Sequence, residues 1–312
     1  MPQQTPATIA SLLEATAHVL LDGAMATELE KRGVDTSSAL WSAVAMDTDP
    51  DAVTAVHRSY LDAGSRILIT NSYQAPPDDF RTAGYDEAAS IEMVRASARL
   101  ALGAVIEWQA DGGQEPVVVA GSIGPYGAHL ADGSEYTGAY SLEPEAYKDF
   151  HRPRLTALHE VGITTLAVET QPRLDEVEAV LDLIADEFPG SSAMVSFSLS
   201  DATHLADGTD LATAAARVSQ HPVAVAVGVN CVPQELVVEA LTTLASETSL
   251  PLLAYPNSGE HYDPTTKTWS PGDHTNTLAA HAAEWRAAGA RILGGCCRTT
   301  PADIAELAIR GW

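Results

Sequence analysis

The sequence is short of sulfur and of positive charge. Three cysteines in 312 residues, Cys231, Cys296 and Cys297, are too few for a disulfide framework, and the expected setting is a reducing cytoplasm. Only three lysines occur, Lys31, Lys148 and Lys267, and 42 acidic residues face 17 basic ones for a net charge of -25. DNA and RNA binding draws most of its affinity from Lys and Arg, so a nucleic-acid partner is set aside. The acidic residues are spread along the expected helices, which reads as a solvated surface. No run of about 18 apolar residues is present, so no membrane span is expected. No basic residue precedes Lys31 and no clean apolar stretch opens the chain, so no secretory leader is expected either.

Several motifs are also missing. There is no Gly-x-Gly-x-x-Gly after an early strand, no Walker loop, no heptad repeat, no His-x-His pair and no composition break that would mark a linker. What is present is alternation. Aliphatic runs of strand length at 18–22, 66–71, 116–122, 164–169, 193–199, 223–230, 251–256 and 291–294 are separated by segments of helical period at 52–63, 86–108, 144–161, 173–187, 208–218, 232–246 and 274–288, with a last one at 301–309. Near-continuous aliphatic strands between helices require a parallel sheet covered by helices, and eight such units predict a single (β/α)8 barrel over residues 1–312. A doubly wound open sheet is the alternative.

The polar residues cluster where these strands end: Asp22, Thr70 and Asn71, Glu169, Asn230 with Cys231, and Gly294 to Cys297. In a barrel those ends share the face on which active sites are built. Cysteines at three such positions read as a metal-thiolate site, and three sulfur ligands leave one tetrahedral position of a zinc ion open. Adjacent Cys296 and Cys297 cannot both face inward from a regular strand, so the strand is expected to break at Gly294 and Gly295, with glycine backbone freedom turning both thiols in. Thr299, Thr300 and Pro301 offer an N-cap and an N1 proline for the last helix.

These residues carry a resemblance. The segments Leu21-Asp22-Gly23-Ala24-Met25-Ala26-Thr27-Glu28-Leu29, Thr70-Asn71-Ser72-Tyr73-Gln74-Ala75, Gly121-Ser122-Ile123-Gly124-Pro125-Tyr126-Gly127-Ala128, Leu130-Ala131-Asp132-Gly133-Ser134-Glu135-Tyr136-Thr137-Gly138, Val168-Glu169-Thr170, Gly228-Val229-Asn230-Cys231 and Gly294-Gly295-Cys296-Cys297-Arg298-Thr299 occur in order along the chain. Together they resemble the zinc-dependent homocysteine S-methyltransferases, from about residue 19 to 309. The resemblance implies that Cys231, Cys296 and Cys297 bind Zn2+, with homocysteine sulfur at the fourth position. It also implies that Asp22 and Glu169 contact the substrate amine. Thr70, Asn71, Asn230 and the backbone amides near Gly23 to Met25 are further substrate-binding candidates.

A zinc-held thiol is deprotonated at neutral pH, so no separate side-chain base is needed. Three thiolates and a fourth from the substrate give the site a charge of minus two, which favours a cationic donor: S-methylmethionine first, S-adenosylmethionine second. The segment 121–140 is too long for an ordinary βα connection and reads as a lid or donor loop, or else a packed Ω-loop. Its Tyr126, Asp132, Glu135, Tyr136 and Tyr140 are donor-binding candidates, since aromatic faces and carboxylates hold a sulfonium much as they hold a quaternary ammonium. His129 and His204 are in no metal-ligand spacing and stay outside the site. Two other readings remain, a zinc hydrolase on the same barrel and a homocysteine- or zinc-binding protein without turnover; the expected partners are small molecules and the expected state a monomer.

Overall fold

The computed structural model describes residues 7–38, 40–263, 268–270 and 277–312. At its centre lie eight parallel strands: β1 (Val19–Leu20), β2 (Ile67–Ile69), β3 (Val118–Ile123), β4 (Thr165–Gln171), β5 (Ser192–Phe197), β6 (Ala224–Asn230), β7 (Leu252–Tyr255) and β8 (Ala290–Leu293). Neighbours pair in chain order from β2 to β8, and β8 pairs with β1. The Asp22 N–H then donates to the Ile67 carbonyl at 3.1 Å and the Arg66 N–H to the Leu20 carbonyl at 2.8 Å. These bonds join the two remaining edges, so the sheet is a (β/α)8 barrel and not an open doubly wound sheet.

The expected helical segments are helices, and their starts are set by local chemistry. Asp49, Asp86 and Asp210 each accept the N–H three residues on, at 3.1, 2.8 and 2.7 Å. Thr300 and Asp303 form a reciprocal capping box ahead of Pro301–Ile309, with Pro301 in the first turn. Positions 274–276 of one expected helix, together with Lys267 and the first six residues, lie outside the described residues; the helix itself runs Leu278–Ala287. A helix that the strand count did not foresee, Ile9–Ala15, packs Ile9, Leu12 and Leu13 against the barrel interior.

Alternation along the strands sorts side chains into two shells. Val19, Leu21, Ile67, Val118, Ala120, Ala167, Met194, Ala226, Leu253 and Ile292 fill the interior with the N-terminal helix, while Leu20, Leu68, Val119, Leu166, Val168, Val195, Val227 and Leu293 pack outward under the helices. Counting on by twos from the inward residues reaches Ser122, Glu169, Ser196, Asn230 and Tyr255. The barrel interior therefore changes from apolar to polar within one step toward the carboxyl ends of the strands.

Close packing at that step makes a testable demand. A Cβ on Gly228 would lie 1.7 Å from the Leu253 carbonyl oxygen, whereas one on Gly103, in the helix Glu87–Ala110, would meet nothing within 4 Å. In urea unfolding, Gly228→Ala is expected to destabilise the fold by about 3 kcal/mol or more, and Gly103→Ala to stabilise it by about 0.5–1 kcal/mol. Equal effects of the two substitutions would contradict this packing.

Candidate metal centre

The three cysteines converge. Their Sγ atoms lie within 4.8 Å of one another, with Cys231 and Cys297 3.5 Å apart, and each residue is half-buried. A tetrahedral ion with metal–sulfur bonds of about 2.3 Å separates its sulfurs by roughly 3.8 Å, so the trio has the size of one triangular face of such a site. Hydrogen bonds from Cys231 and Cys296 push the Cys297 thiol well below the usual range, while Cys231 and Cys296 are themselves pushed above it. Thiols close enough to act on one another in this way suit a set of metal ligands, which bind as thiolates.

Backbone geometry brings the sulfurs together. Cys231 follows the end of β6 with φ of 53°, a left-handed conformation uncommon for a residue with a Cβ. Its N–H donates to the Tyr255 carbonyl at 3.2 Å, that of Cys296 to the Pro256 carbonyl at 2.8 Å, and that of Cys297 to Asn257 Oδ1 at 3.2 Å. β8 does break before Gly294, but the reason expected from glycine φ freedom needs correcting. Neither Gly294 nor Gly295 is left-handed; the left-handed residue here is Arg298, at φ 67°. The glycines are required for space, because a Cβ would come within 2.7 Å of the Asp22 carbonyl oxygen at Gly294 and within 2.3 Å of Thr299 Oγ1 at Gly295.

Beside the sulfurs lies a buried polar layer. Asn230 holds Thr170 twice, accepting its N–H and donating to its Oγ1, both at 2.7 Å, and Ser196 Oγ donates to Asn230 Oδ1 at 2.8 Å. This clamp holds Thr170, a β-branched residue, at φ 55°, a strained backbone of the kind that costs about 1–3 kcal/mol. The Asn230 amide also points at Cys296 Sγ, 4.0 Å away. Glu169, next to the strained residue, accepts from the Ser122 hydroxyl.

Glu169 and Asp22 are the acidic members of this layer, and neither has an ion-pair partner among the described residues. Burial pushes the Glu169 carboxyl up to about 7, with the Cys231 charge adding to the effect. Burial likewise raises Asp22 well above the usual carboxylate range, against a 2.8 Å hydrogen bond from the Ile69 N–H and with help from the nearby Glu169 charge. The Arg154 guanidinium acts on Glu169 through space but contacts neither acid, so two buried acids without a contacting counter-charge form a place for a cation.

The other sequence candidates are distributed differently. Thr70 Oγ1 accepts from the Ser122 N–H at 3.0 Å and shares a hydrogen bond with Ser72 Oγ, and the Asn71 amide exchanges two hydrogen bonds with Ser42; both side chains are engaged within the protein. In the long loop, the Tyr136 hydroxyl reaches to 3.8 Å from Cys231 Sγ, and Glu135 is pushed up to about 7 by burial, with Oε2 buried and without a hydrogen-bond partner. Tyr140 instead donates to Glu176 at 2.6 Å, the Tyr126 ring packs on Phe150 and Tyr140, and the exposed Asp132 accepts from Ser134. His129 and His204 pair with Asp79 and Asp201, away from the sulfurs. Ser122, Thr170, Ser196 and Tyr255 were not singled out from sequence, although period-two counting from the aliphatic strands reaches all but Thr170. Tyr73, in a quoted motif, has a buried hydroxyl without a hydrogen-bond partner, close enough for the Glu135 and Cys231 charges to act on it.

Comparison with known proteins supplies the context. Residues 19–310 match the homocysteine S-methyltransferase family. A homocysteine S-methyltransferase from Escherichia coli is 47% identical over 99% of this chain and 100% of its own length, and one from Bacillus subtilis is 41% identical over 96% of each. A selenocysteine Se-methyltransferase from Brassica oleracea is 37% identical over 94% of this chain and 88% of its own. The crystal structure of the metallated E. coli homocysteine methyltransferase MmuM superposes with a TM-score of 0.88 at 45% identity, covering 96% of this chain and 99% of that one. On a match that spans the whole barrel from β1 to the last helix, the chain belongs to the homocysteine S-methyltransferase family.

Proposed function

We propose that this protein transfers a methyl group from a sulfonium donor to the sulfur of L-homocysteine, giving methionine, with zinc held by Cys231, Cys296 and Cys297. The observation that carries the reading is the juxtaposition of three thiols within 4.8 Å with two buried carboxylates that have no ion-pair partner among the described residues. Bound there, zinc supplies a Lewis acid that deprotonates a thiol entering its fourth position. The remaining work falls to the protein. Asp22 and Glu169 hold the substrate ammonium. Of the backbone amides near Gly23 to Met25, those of Gly23 and Met25 receive the carboxylate, since the Ala24 N–H already donates to Thr299 Oγ1 at 3.2 Å and the Thr70 and Asn71 side chains are engaged. Asn230 fixes the rim from which Cys231 projects.

The homocysteine sulfur forms a bond to the donor methyl carbon. The bond from that carbon to the sulfonium sulfur breaks, its electron pair stays on the departing sulfur, and the cation leaves as a neutral thioether. Glu135 and Tyr136 lie where the cation would approach, so the donor contacts are assigned to them. S-Methylmethionine is the preferred donor and S-adenosylmethionine the second. A hydrolytic role suits the site poorly, because three sulfur ligands donate more charge than imidazoles and leave the ion a weaker activator of water. Three free thiols suit a cytoplasmic location, and no helix among the described residues is long and apolar enough to cross a membrane.

Metal analysis of the purified protein is expected to find about one zinc per chain. Cys231→Ser, Cys296→Ser and Cys297→Ser should each lose both metal and activity, and full turnover by a rigorously metal-free sample would falsify the reading.

Asp22→Asn and Glu169→Gln are expected to keep the metal and weaken homocysteine binding by about 1.5–3 kcal/mol each, the worth of a charge-assisted bond. pH separates this from a structural effect. Below about 7 the free Glu169 carboxyl is protonated and must release its proton to pair with an ammonium, so affinity should rise with pH and level off above that value. Methionine is the clean probe, because it carries the ammonium but no thiol to ionise. Calorimetric titration should show this rise for the parent protein and a smaller one for Glu169→Gln, in which Asp22 is the one acid of the pair left to release a proton.

Donor choice is settled by parallel assays of zinc-loaded enzyme and homocysteine with S-methylmethionine, S-adenosylmethionine, betaine or methyltetrahydrofolate. Methionine should form fastest with S-methylmethionine, and Glu135→Gln should raise the KM of the sulfonium donor more than that of homocysteine. Faster turnover with betaine or methyltetrahydrofolate would refute the donor assignment and leave the thiolate chemistry standing.

A further inference from the structure

Three charged or titratable side chains are buried together away from the sulfurs, where the chemistry described above does not use them. Glu176 and His151 are fully buried and Arg154 is 1% exposed. Arg154 Nη2 donates to His151 Nδ1 at 2.9 Å, and since a guanidinium only donates, the imidazole accepts there and its Nε2–H is given to Glu176 Oε1 at 2.8 Å. Burying such a set is costly, and well-packed apolar residues of similar volume are often as stabilising. Stability alone therefore does not account for it.

Its connections do. Glu176 Oε1 also accepts the Tyr126 N–H, and Oε2 accepts the Tyr140 hydroxyl, both at 2.6 Å. One carboxylate thus ties the two ends of a fifteen-residue loop, and between those ends lie Glu135 and Tyr136, the latter 3.8 Å from Cys231 Sγ. From the other side, Arg154 donates to the carbonyls of Tyr73 at 2.8 Å and Gly124 at 2.7 Å, which belong to the loops after β2 and β3. Two rim loops, the one after β2 and the long one after β3 that contains residues 126–140, are anchored on one buried cluster.

We propose that the Arg154–His151–Glu176 cluster is a positioning device that clamps the 126–140 loop over the cysteine site and so sets the affinity for the methyl donor. It rests on the methyl-transfer reading above. None of the three side chains touches the sulfurs; they act through Tyr126, Tyr140 and the loop backbone. Homocysteine, held by Asp22 and Glu169, contacts none of the three; the Arg154 charge reaches Glu169 only through space, and the variants used below leave Arg154 in place.

The test uses Glu176→Gln and Tyr140→Phe in the full-length zinc-loaded protein. Tyr140→Phe keeps the ring and strands no buried charge, so it folds even if the glutamine variant does not. Each should keep the metal, leave the homocysteine KM within roughly twofold, and raise the sulfonium donor KM by about tenfold, the effect of one hydrogen bond to a charged group. The double variant should be no worse than the worse single one, because both changes cut the same tie. Hydrogen exchange of the amides between 127 and 139 should speed up in both variants. Unchanged exchange, equal rises in both KM values, loss of the metal, or a lower melting temperature with both KM values intact would each overturn the proposal. A parent enzyme that uses no sulfonium donor defeats the methyl-transfer reading instead, and the exchange measurement then decides the clamp by itself.

Discussion

Everything at the candidate site depends on holding three sulfur atoms closer together than three thiolates would choose to be. The backbone does this with hydrogen bonds that run from strand to strand around the rim: Cys231 N–H to Tyr255, Cys296 N–H to Pro256, and Gly295 N–H to the Asp22 carbonyl at 2.9 Å. β6, β7, β8 and β1 are stitched together at the height where the side chains change from apolar to polar. The stitch is also why the two glycines are needed, since the chain after β8 passes so close to Asp22 and Thr299 that no Cβ fits. The cysteines and Asp22 are linked through a few backbone atoms.

The second theme is negative charge left without a partner. Glu169, Asp22 and Glu135 are all pushed upward by burial, and the sulfurs add to the field at Glu169 and Glu135. No cationic side chain contacts these acids among the described residues, and the proposed substrates carry cations, as an ammonium on homocysteine and a sulfonium on the donor. The sulfonium loses its charge in the reaction, so the attraction that brings it in does not hold the thioether that leaves. The ion pairs of the acidic surface, by contrast, are exposed and each contribute little.

Legibility in the sequence varied with the range of the interaction. Strand and helix order could be read because alternation and helical period are local signals, and the Thr300–Pro301–Asp303 start is a local signature that the structure repeats. The loop tyrosines were harder. Tyr126, Tyr136 and Tyr140 look alike in sequence, yet Tyr136 points at a sulfur while Tyr140 is bound to Glu176, a residue that reads as one more acid on a helix. Asn71 was named as a substrate contact because it ends a strand, but Ser42, twenty-nine positions earlier in the chain, occupies its amide.

By itself the sequence determined the eight-unit alternation, the position of polar residues at strand ends and, through its ordered motifs, the family. These follow from hydrophobic period and turn chemistry, which act between residues a few positions apart. Only the tertiary structure decided which polar groups remain free and which are consumed by partners from distant strands. Hydrogen bonds have short reach and definite direction, so barrel closure, the strained turns at Thr170 and Cys231, and the buried Arg154–His151–Glu176 cluster exist only once residues far apart in the chain have been brought within about 3 Å of each other.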